Sequence, residues 1–301
     1  MAIIEINSIS QIHAAINHEK PRHPLVTVID FSKVEHKSVG GHKMKIGFYG
    51  VMLKNKVAEG KFRYGREYYD FQDGTILFLA PEQVVQFDED ADTDNMEGWG
   101  LFFHPDFLRR SSLAEKMKDY SFFSYEANEA LHLSDQEKQT LADCIHKIEV
   151  ELAQNIDVHS QTLILSNIEL LLNYCNRYYG RQFITRSHIN KDVVSKFERL
   201  LTQYFDAEIA KDQGLPSVAY LAEQLNLSPN YLSDLLKRDT GKNAQEHIHY
   251  HLIEKAKTLL LNSNGTISEV AYNLGFEYPQ YFSKIFKLKT GMTPVEYRGM
   301  N

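Results

Sequence analysis

SVAYLAEQLNLSPNYLSDLLKRDTG, residues Ser217–Gly241, and TISEVAYNLGFEYPQYFSKIFKLKTG, residues Thr266–Gly291, are two versions of one pattern. With one residue added in the second turn they match at Ala222/Ala271, Leu225/Leu274, Tyr231/Tyr281, Ser233/Ser283, Lys237/Lys287, Thr240/Thr290 and Gly241/Gly291, and beyond the motif at Glu246/Glu296. A supersecondary unit used twice leaves this kind of internal repeat. Each copy predicts two helices joined by a tight turn. Ala222 and Ala271 sit where the helices cross and a larger side chain would push them apart. Asn226 and Gly275 occupy the turn, and these residue types most readily take a left-handed backbone. Pro229 and Pro279 suit the first position of the second helix, where a missing N–H costs nothing, and Ser228 is a good N-cap. Gly241 and Gly291 stop that helix. Asn243-x-x-Glu246 and Thr293-Pro294-x-Glu296 then open a further helix in each copy. Between the copies, residues 244–261 predict a rigid spacer with Ile248, Leu252, Ala256, Leu259 and Leu260 along one face.

The geometry is that of a tandem helix-turn-helix, and the spacer suits two helices that read successive major-groove faces about 34 Å apart. Charge at first argues otherwise. The 301-residue chain carries 33 Lys and Arg against 40 Asp and Glu, a net −7, whereas phosphate neutralisation calls for cations. The acidity is concentrated before the repeat: residues 1–189 hold 20 basic and 27 acidic residues, residues 190–301 hold 13 of each. Within the second copy, Pro279 to Lys289 contains Lys284, Lys287 and Lys289 and no acid. In the first copy Lys237, Arg238 and Lys242 are offset by Asp234 and Asp239.

Upstream, short β runs at Leu25–Ile29, Ile46–Leu53, Gly74–Pro81, Val84–Phe87 and Trp99–Phe103 favour a sandwich or barrel. After Asp119 the period becomes helical. Ser134 to Glu137 is a capping box ahead of Leu141, Ile145, Ile148 and Leu152, and residues 162–179 are apolar almost all round, which requires cover on more than one side. A third amphipathic stretch carries Val193, Phe197, Leu200, Leu201, Tyr204 and Phe205. The fold class expected is α+β: an N-terminal β-sandwich or cupin-like domain (1–130), a helical dimerisation segment (131–189) and an all-α DNA-binding domain (190–301). Cys144 and Cys175 read as reduced core residues, with no spacing for zinc or a disulfide framework. No apolar run spans a bilayer and no secretory leader is visible, so a cytoplasmic chain without a membrane partner is expected.

An enzymatic, metal-dependent sandwich would need a His-x-His and Glu cluster on one strand pair with a further His on a later strand. Residues 74–86 offer Gln83 and Gln86 instead, so no catalytic residue, metal or cofactor is expected. Tyr49, Tyr64, Tyr68, Tyr69, Phe71 and Trp99 are candidates to line a metal-free pocket, with core packing as the competing reading. His247 and His251 share a helix face with His249 between them, yet no carboxylate or cysteine at nearby spacing completes a metal site.

The tandem motif, with Gly275-Phe276, Tyr281-Phe282-Ser283, Phe286-Lys287 and Gly291 to Pro294, resembles the AraC/XylS family of bacterial transcription regulators over about residues 195–301. The resemblance implies a double-stranded operator as partner, a small-molecule effector in the N-terminal half, a homodimer, and RNA polymerase as a further partner should the chain activate. By likeness to the family's contact positions, it places Asn230, Ser233 and Asp234 of the first copy and Gln280, Ser283 and Lys284 of the second in the groove, with Lys237, Arg238 and Lys287 supporting them. Asp234 can accept from a cytosine amino group or pair within its helix with Lys237 or Arg238. Two positions depart from the family's pattern: Ala244 stands where proline is usual and His251 where arginine is.

Overall fold

The computed structural model describes residues 3–34, 43–56, 62–64, 67–69, 74–87, 97–126, 129–155, 157, 159–185, 187–206, 209–263 and 265–300, with backbone alone at 55–56, 62–64, 67–69, 86–87 and 187–189. The chain divides into two compact units, residues 1–185 and 186–301.

The first unit opens with β1 (Ile3–Ile6), α1 (Ile9–Ala15) and β2 (Val26–Asp30), followed by β3 (Lys43–Ile46) and β4 (Tyr49–Lys56). β5 (Phe62–Tyr64), β6 (Glu67–Tyr69), β7 (Thr75–Leu79), β8 (Gln83–Phe87) and β9 (Glu97–Phe103) complete the main strands, and β10 (Leu131–His132) adds a short edge. They form two five-stranded sheets, ordered β1-β3-β8-β5-β6 and β10-β7-β4-β9-β2. Pairing is antiparallel except between β1 and β3. Met44, Ile46 and Val85 of the first sheet share one buried cluster with Met52, Leu77, Leu79 and Phe102 of the second, the alternation expected where two sheets bury their inner faces.

The run Ile46–Leu53, which reads as one strand, belongs to two. Gly47 and Phe48 carry the chain from one sheet to the other: the Gly47 N–H donates to the Ile6 carbonyl at 2.9 Å, and Phe48 is fully buried edge-on to Phe102. β1, α1 and β10 lie where no strand or helix was expected from the pattern.

The outer face of the second sheet is covered by aromatic packing. Phe78 of β7 meets Phe122, Phe123 and Tyr179. The connection to them runs through α2 (Pro105–Leu108), α3 (Ser112–Lys116) and short 3-10 turns, and then α4 (Asp135–Ala153) and α5 (Ser160–Thr185) form a helical hairpin. The Ser134–Glu137 capping box is formed at the start of α4. On α5, the Gln182 side chain accepts from the His132 N–H at 2.9 Å and donates to the Ala130 carbonyl at 3.1 Å, so an amide side chain satisfies backbone groups beside β10. Ile164, Ile168, Leu171 and Leu172 are buried, while Leu163 and Leu170 stay 48% and 40% exposed. Cys144 and Cys175 are buried and unbridged, and burial pushes both thiols up from their ordinary range.

The second unit is all-helical: α6 (Ser187–Asp206), α7 (Ile209–Gln213), α8 (Val218–Gln224), α9 (Pro229–Thr240), α10 (Ala244–Asn262), α11 (Ile267–Asn273), α12 (Pro279–Thr290) and α13 (Pro294–Arg298). Its core joins Phe197 and Leu201 of α6, Leu232 and Leu236 of α9, Leu252 and Ala256 of α10, and Phe282 and Phe286 of α12. Ala222 and Ala271 have no exposed surface. Asn226 and Gly275 both take positive φ, 54° and 89°. At Gly275 space is also lacking, because a Cβ there would lie 2.4 Å from the Ala210 carbonyl oxygen and 2.8 Å from the Gly214 carbonyl carbon.

Gly291 has a similar φ of 80° but open space around its missing Cβ. Gly291→Ala is therefore expected to cost roughly 1–2 kcal/mol, the left-handed penalty alone. Gly275→Ala adds a backbone clash and is expected to cost on the order of 3 kcal/mol or more. Denaturant unfolding of the second unit measures both, and equal losses would contradict the packing role given to Gly275.

Candidate nucleic-acid interface and sensing core

Each second helix of the repeat starts at proline and stops at a left-handed glycine. At α9 the Ser228 hydroxyl accepts from the Tyr231 N–H at 3.2 Å; at α12 Tyr278 stands in the N-cap position without a side-chain cap. Gly241 and Gly291 close the helices with φ of 79° and 80°.

Of the nine candidate contact residues, Asn230, Lys237, Arg238, Gln280, Lys284 and Lys287 are exposed, and Ser233, Asp234 and Ser283 are half-buried. The Ser283 hydroxyl donates to the Pro279 carbonyl at 3.1 Å, so its proton is used inside the helix. The copies are not equivalent. Tyr231 is 6% exposed, whereas its counterpart Tyr281 is 60% exposed. Helix α9 packs against α6 as well as α8 and α10, while α12 packs against α11 and α13.

The spacer α10 carries the three histidines. Glu198 of α6 joins two of them: its Oε1 lies 2.8 Å from His247 Nδ1 and its Oε2 lies 2.5 Å from His251 Nε2. His247 Nε2 lies 2.7 Å from the Thr240 hydroxyl at the end of α9. The carboxylate missing from the local sequence is thus supplied by a helix well upstream, and nothing in residue spacing points to it. His251, at the position where arginine was expected from the resemblance, contacts Glu198. His249 stands apart, with its pKa lowered by burial and by Lys289. Among the described residues no group of three His, Cys, Asp or Glu is arranged to hold a metal ion. Ala244, in place of proline, is fully buried at the start of α10, where the Asn243–Glu246 capping box supplies the helix start.

A groove of about 310 Å³ runs along α10 between Lys242 and Lys289. Lys242 Nζ lies 4.4 Å above the Tyr250 ring. Glu246, Glu254 and Lys257 also line the groove, so its charge is mixed.

In the first unit, Tyr49 stacks on Phe103 and meets Phe123 edge-on, which makes it a packing residue. Trp99 is half-buried, and its indole N–H is shielded from solvent without an acceptor among the described residues. Tyr64 lies on β5 and Tyr68 and Tyr69 on β6, while Phe71 lies outside the described residues. Gln83 is structural: it accepts from the Ala80 N–H at 2.7 Å and donates to the Phe123 carbonyl at 3.2 Å. Gln86 lies on β8. Nothing in the residue pattern marks Lys54. It follows Met52 on the inward face of β4, opposite Thr75, and both Lys54 and Thr75 are buried. Desolvation pulls the Lys54 ammonium down to about 8.

Residues 221–300 match the model of a helix-turn-helix domain family. The uncharacterised HTH-type transcriptional regulator YijO of Escherichia coli is 33% identical over 128 residues, 42% of each chain. The regulatory protein PocR of Salmonella typhimurium is 35% identical over 104 residues, 35% of this chain and 33% of PocR. The arabinose operon regulatory protein of Salmonella typhimurium is 24% identical over 254 residues, covering 84% of this chain and 85% of that protein. The match thus spans less than half the length of YijO and PocR. The chain's C-terminal unit is similar to the helix-turn-helix regions of transcription regulators. No helix among the described residues is long and apolar enough to cross a membrane.

The buried lysine gives a pH signature. Its folded pKa lies below the unfolded value of 10.5, so folding expels a proton and stability is reduced below pH about 8, the penalty fading as pH rises from there towards 10.5. At pH 7 the shift corresponds to about 3 kcal/mol at most. Lys54→Met is expected to stabilise the first unit at pH 7, with the advantage over the natural chain shrinking by pH 10. A difference in melting temperature that stays constant across that range would refute the buried-charge account.

Proposed function

We propose that the chain is a cytoplasmic, sequence-specific regulator that binds a double-stranded operator through α9 and α12. The observation that carries this reading is the pair of matched helix-turn-helix units held at fixed separation by α10, whose buried face is continuous with both. Direct readout falls to Asn230 and Gln280, which can pair with adenine, and to Lys284, which reaches guanine or phosphate. Ser233, Asp234 and Ser283 flank them, and Lys237, Arg238 and Lys287 hold the phosphate backbone. Residues 1–130 sense a small-molecule effector inside the sandwich, residues 131–189 dimerise, and residues 190–301 bind DNA. RNA polymerase is a further partner where the chain activates transcription.

Dimerisation through α5 is supported by Leu163 and Leu170, one heptad apart and both exposed. Leu172 belongs to the core, so it does not test an interface. Leu163→Glu with Leu170→Glu is expected to shift the chain from dimer to monomer in sedimentation at micromolar concentration while the melting temperature holds. A dimer that persists would place the interface elsewhere.

Lys284→Ala is expected to weaken binding to all operator variants and reduce the salt slope by about one if its partner is phosphate, or to relax one base position by roughly 1–3 kcal/mol if it is guanine. Binding measured across single-base variants at two salt concentrations separates these outcomes. Unchanged affinity would remove α12 from the groove.

A further inference from the structure

The outward face of α12 carries more than polar and cationic groups. Tyr281 is 60% exposed and Leu288 79% exposed. They lie seven residues apart, with exposed Lys284 between them, so the three share one face of the helix. The first recognition helix has no such strip, since Tyr231 is buried and Arg238 stands in the position of Leu288.

We propose that this strip reads thymine methyl groups, so that the second helix-turn-helix selects a T-containing half-site that the first does not. The inference rests on the DNA-binding reading above. Tyr281 stands at the third position of α12, in the N-terminal part of a recognition helix, the part that meets base edges. The apolar group a base pair presents in the major groove is the thymine C5 methyl, and apolar side chains are its complement. Charge identifies the occupant: Lys284, Lys287 and Lys289 flank the strip, and no acid occurs from Pro279 to Thr290, which suits a polyanion that also displays methyl groups. Leu288 extends the strip two turns further along the helix, towards a second thymine.

The test uses the full chain. An operator is selected from random duplex DNA, and each thymine in it is then replaced singly by deoxyuridine, which deletes the methyl and leaves base pairing intact. For the natural chain, one or two replacements are expected to weaken binding about fourfold, the value of one buried carbon. Tyr281→Ala is expected to bind the parent operator more weakly and to lose the penalty at one of those positions, with Leu288→Ala abolishing the other. Tyr281→Phe, which keeps the ring, is expected to retain the penalty. Both positions are exposed, so melting temperatures should match the natural chain. The inference is overturned if no replacement weakens binding, if the penalties persist unchanged in both alanine variants, or if Tyr281→Phe behaves like Tyr281→Ala, which would assign the contact to the hydroxyl. It is equally overturned if the alanine variants bind DNA normally and fail only in transcription, which would make the strip a protein-docking surface. If no duplex is enriched at all, the DNA-binding reading itself fails, and that result is distinct from a bound operator indifferent to its methyl groups.

Discussion

The second unit depends on a contact at which no side chain fits. Gly275, in the turn of the second helix-turn-helix, lies against the carbonyls of Ala210 and Gly214 at the end of α7, close enough that a Cβ would overlap the Ala210 oxygen. That approach joins the second motif to the segment that leads into the first, and the Tyr204 hydroxyl donates to the Gly214 carbonyl at 2.9 Å from the other side. The spacer α10 alone would fix the distance between the two motifs. A second point of attachment through α7 also restrains their rotation.

This contact explains why the two turns differ in sequence. Asn226 reaches a positive φ in the first turn with room for its side chain, while the second turn needs both the left-handed backbone and the missing Cβ. The capping residues tell a similar story: Ser228 satisfies an amide at the start of α9, and Tyr278 makes no such bond at α12. Local chemistry of this kind is written in single residues, which is why the helix limits, the turns, the proline starts and the glycine stops of the repeat were legible without coordinates. Partners brought together by the fold were not. Glu198 meets His247 and His251 only because α6 packs on α10, and the burial of Tyr231 against the exposure of Tyr281 separates two residues that the alignment makes identical.

The first unit was legible in its apolar runs and obscure at its joints. Short apolar runs bounded by turn residues identified the main strands of the second sheet, since each buries one face against the sandwich interior and the other against aromatic groups or helices. The switch at Gly47 and Phe48 was hidden because an apolar run continues straight through a change of sheet. Lys54 was hidden for a different reason. A lysine near a strand end reads as a solvated edge residue, and only the packing of two sheets shows that it points inward, where burial lowers its affinity for a proton.

Charge connects the two halves of the problem. A chain of net −7 is repelled by DNA at long range, so its cations must act within a Debye length, about 8 Å at physiological salt. The first recognition helix mixes Asp234 and Asp239 with Lys237 and Arg238, whereas the second presents lysines with no acid among them. On the DNA-binding reading proposed above, this unequal charge gives the second copy the larger electrostatic share of binding, while the first contributes through hydrogen bonding and through the rigid connection. On that reading the spacer does more than hold distance: it lets attraction generated at α12 bring α9 into a groove that α9, with its compensated charges, has little power to seek alone.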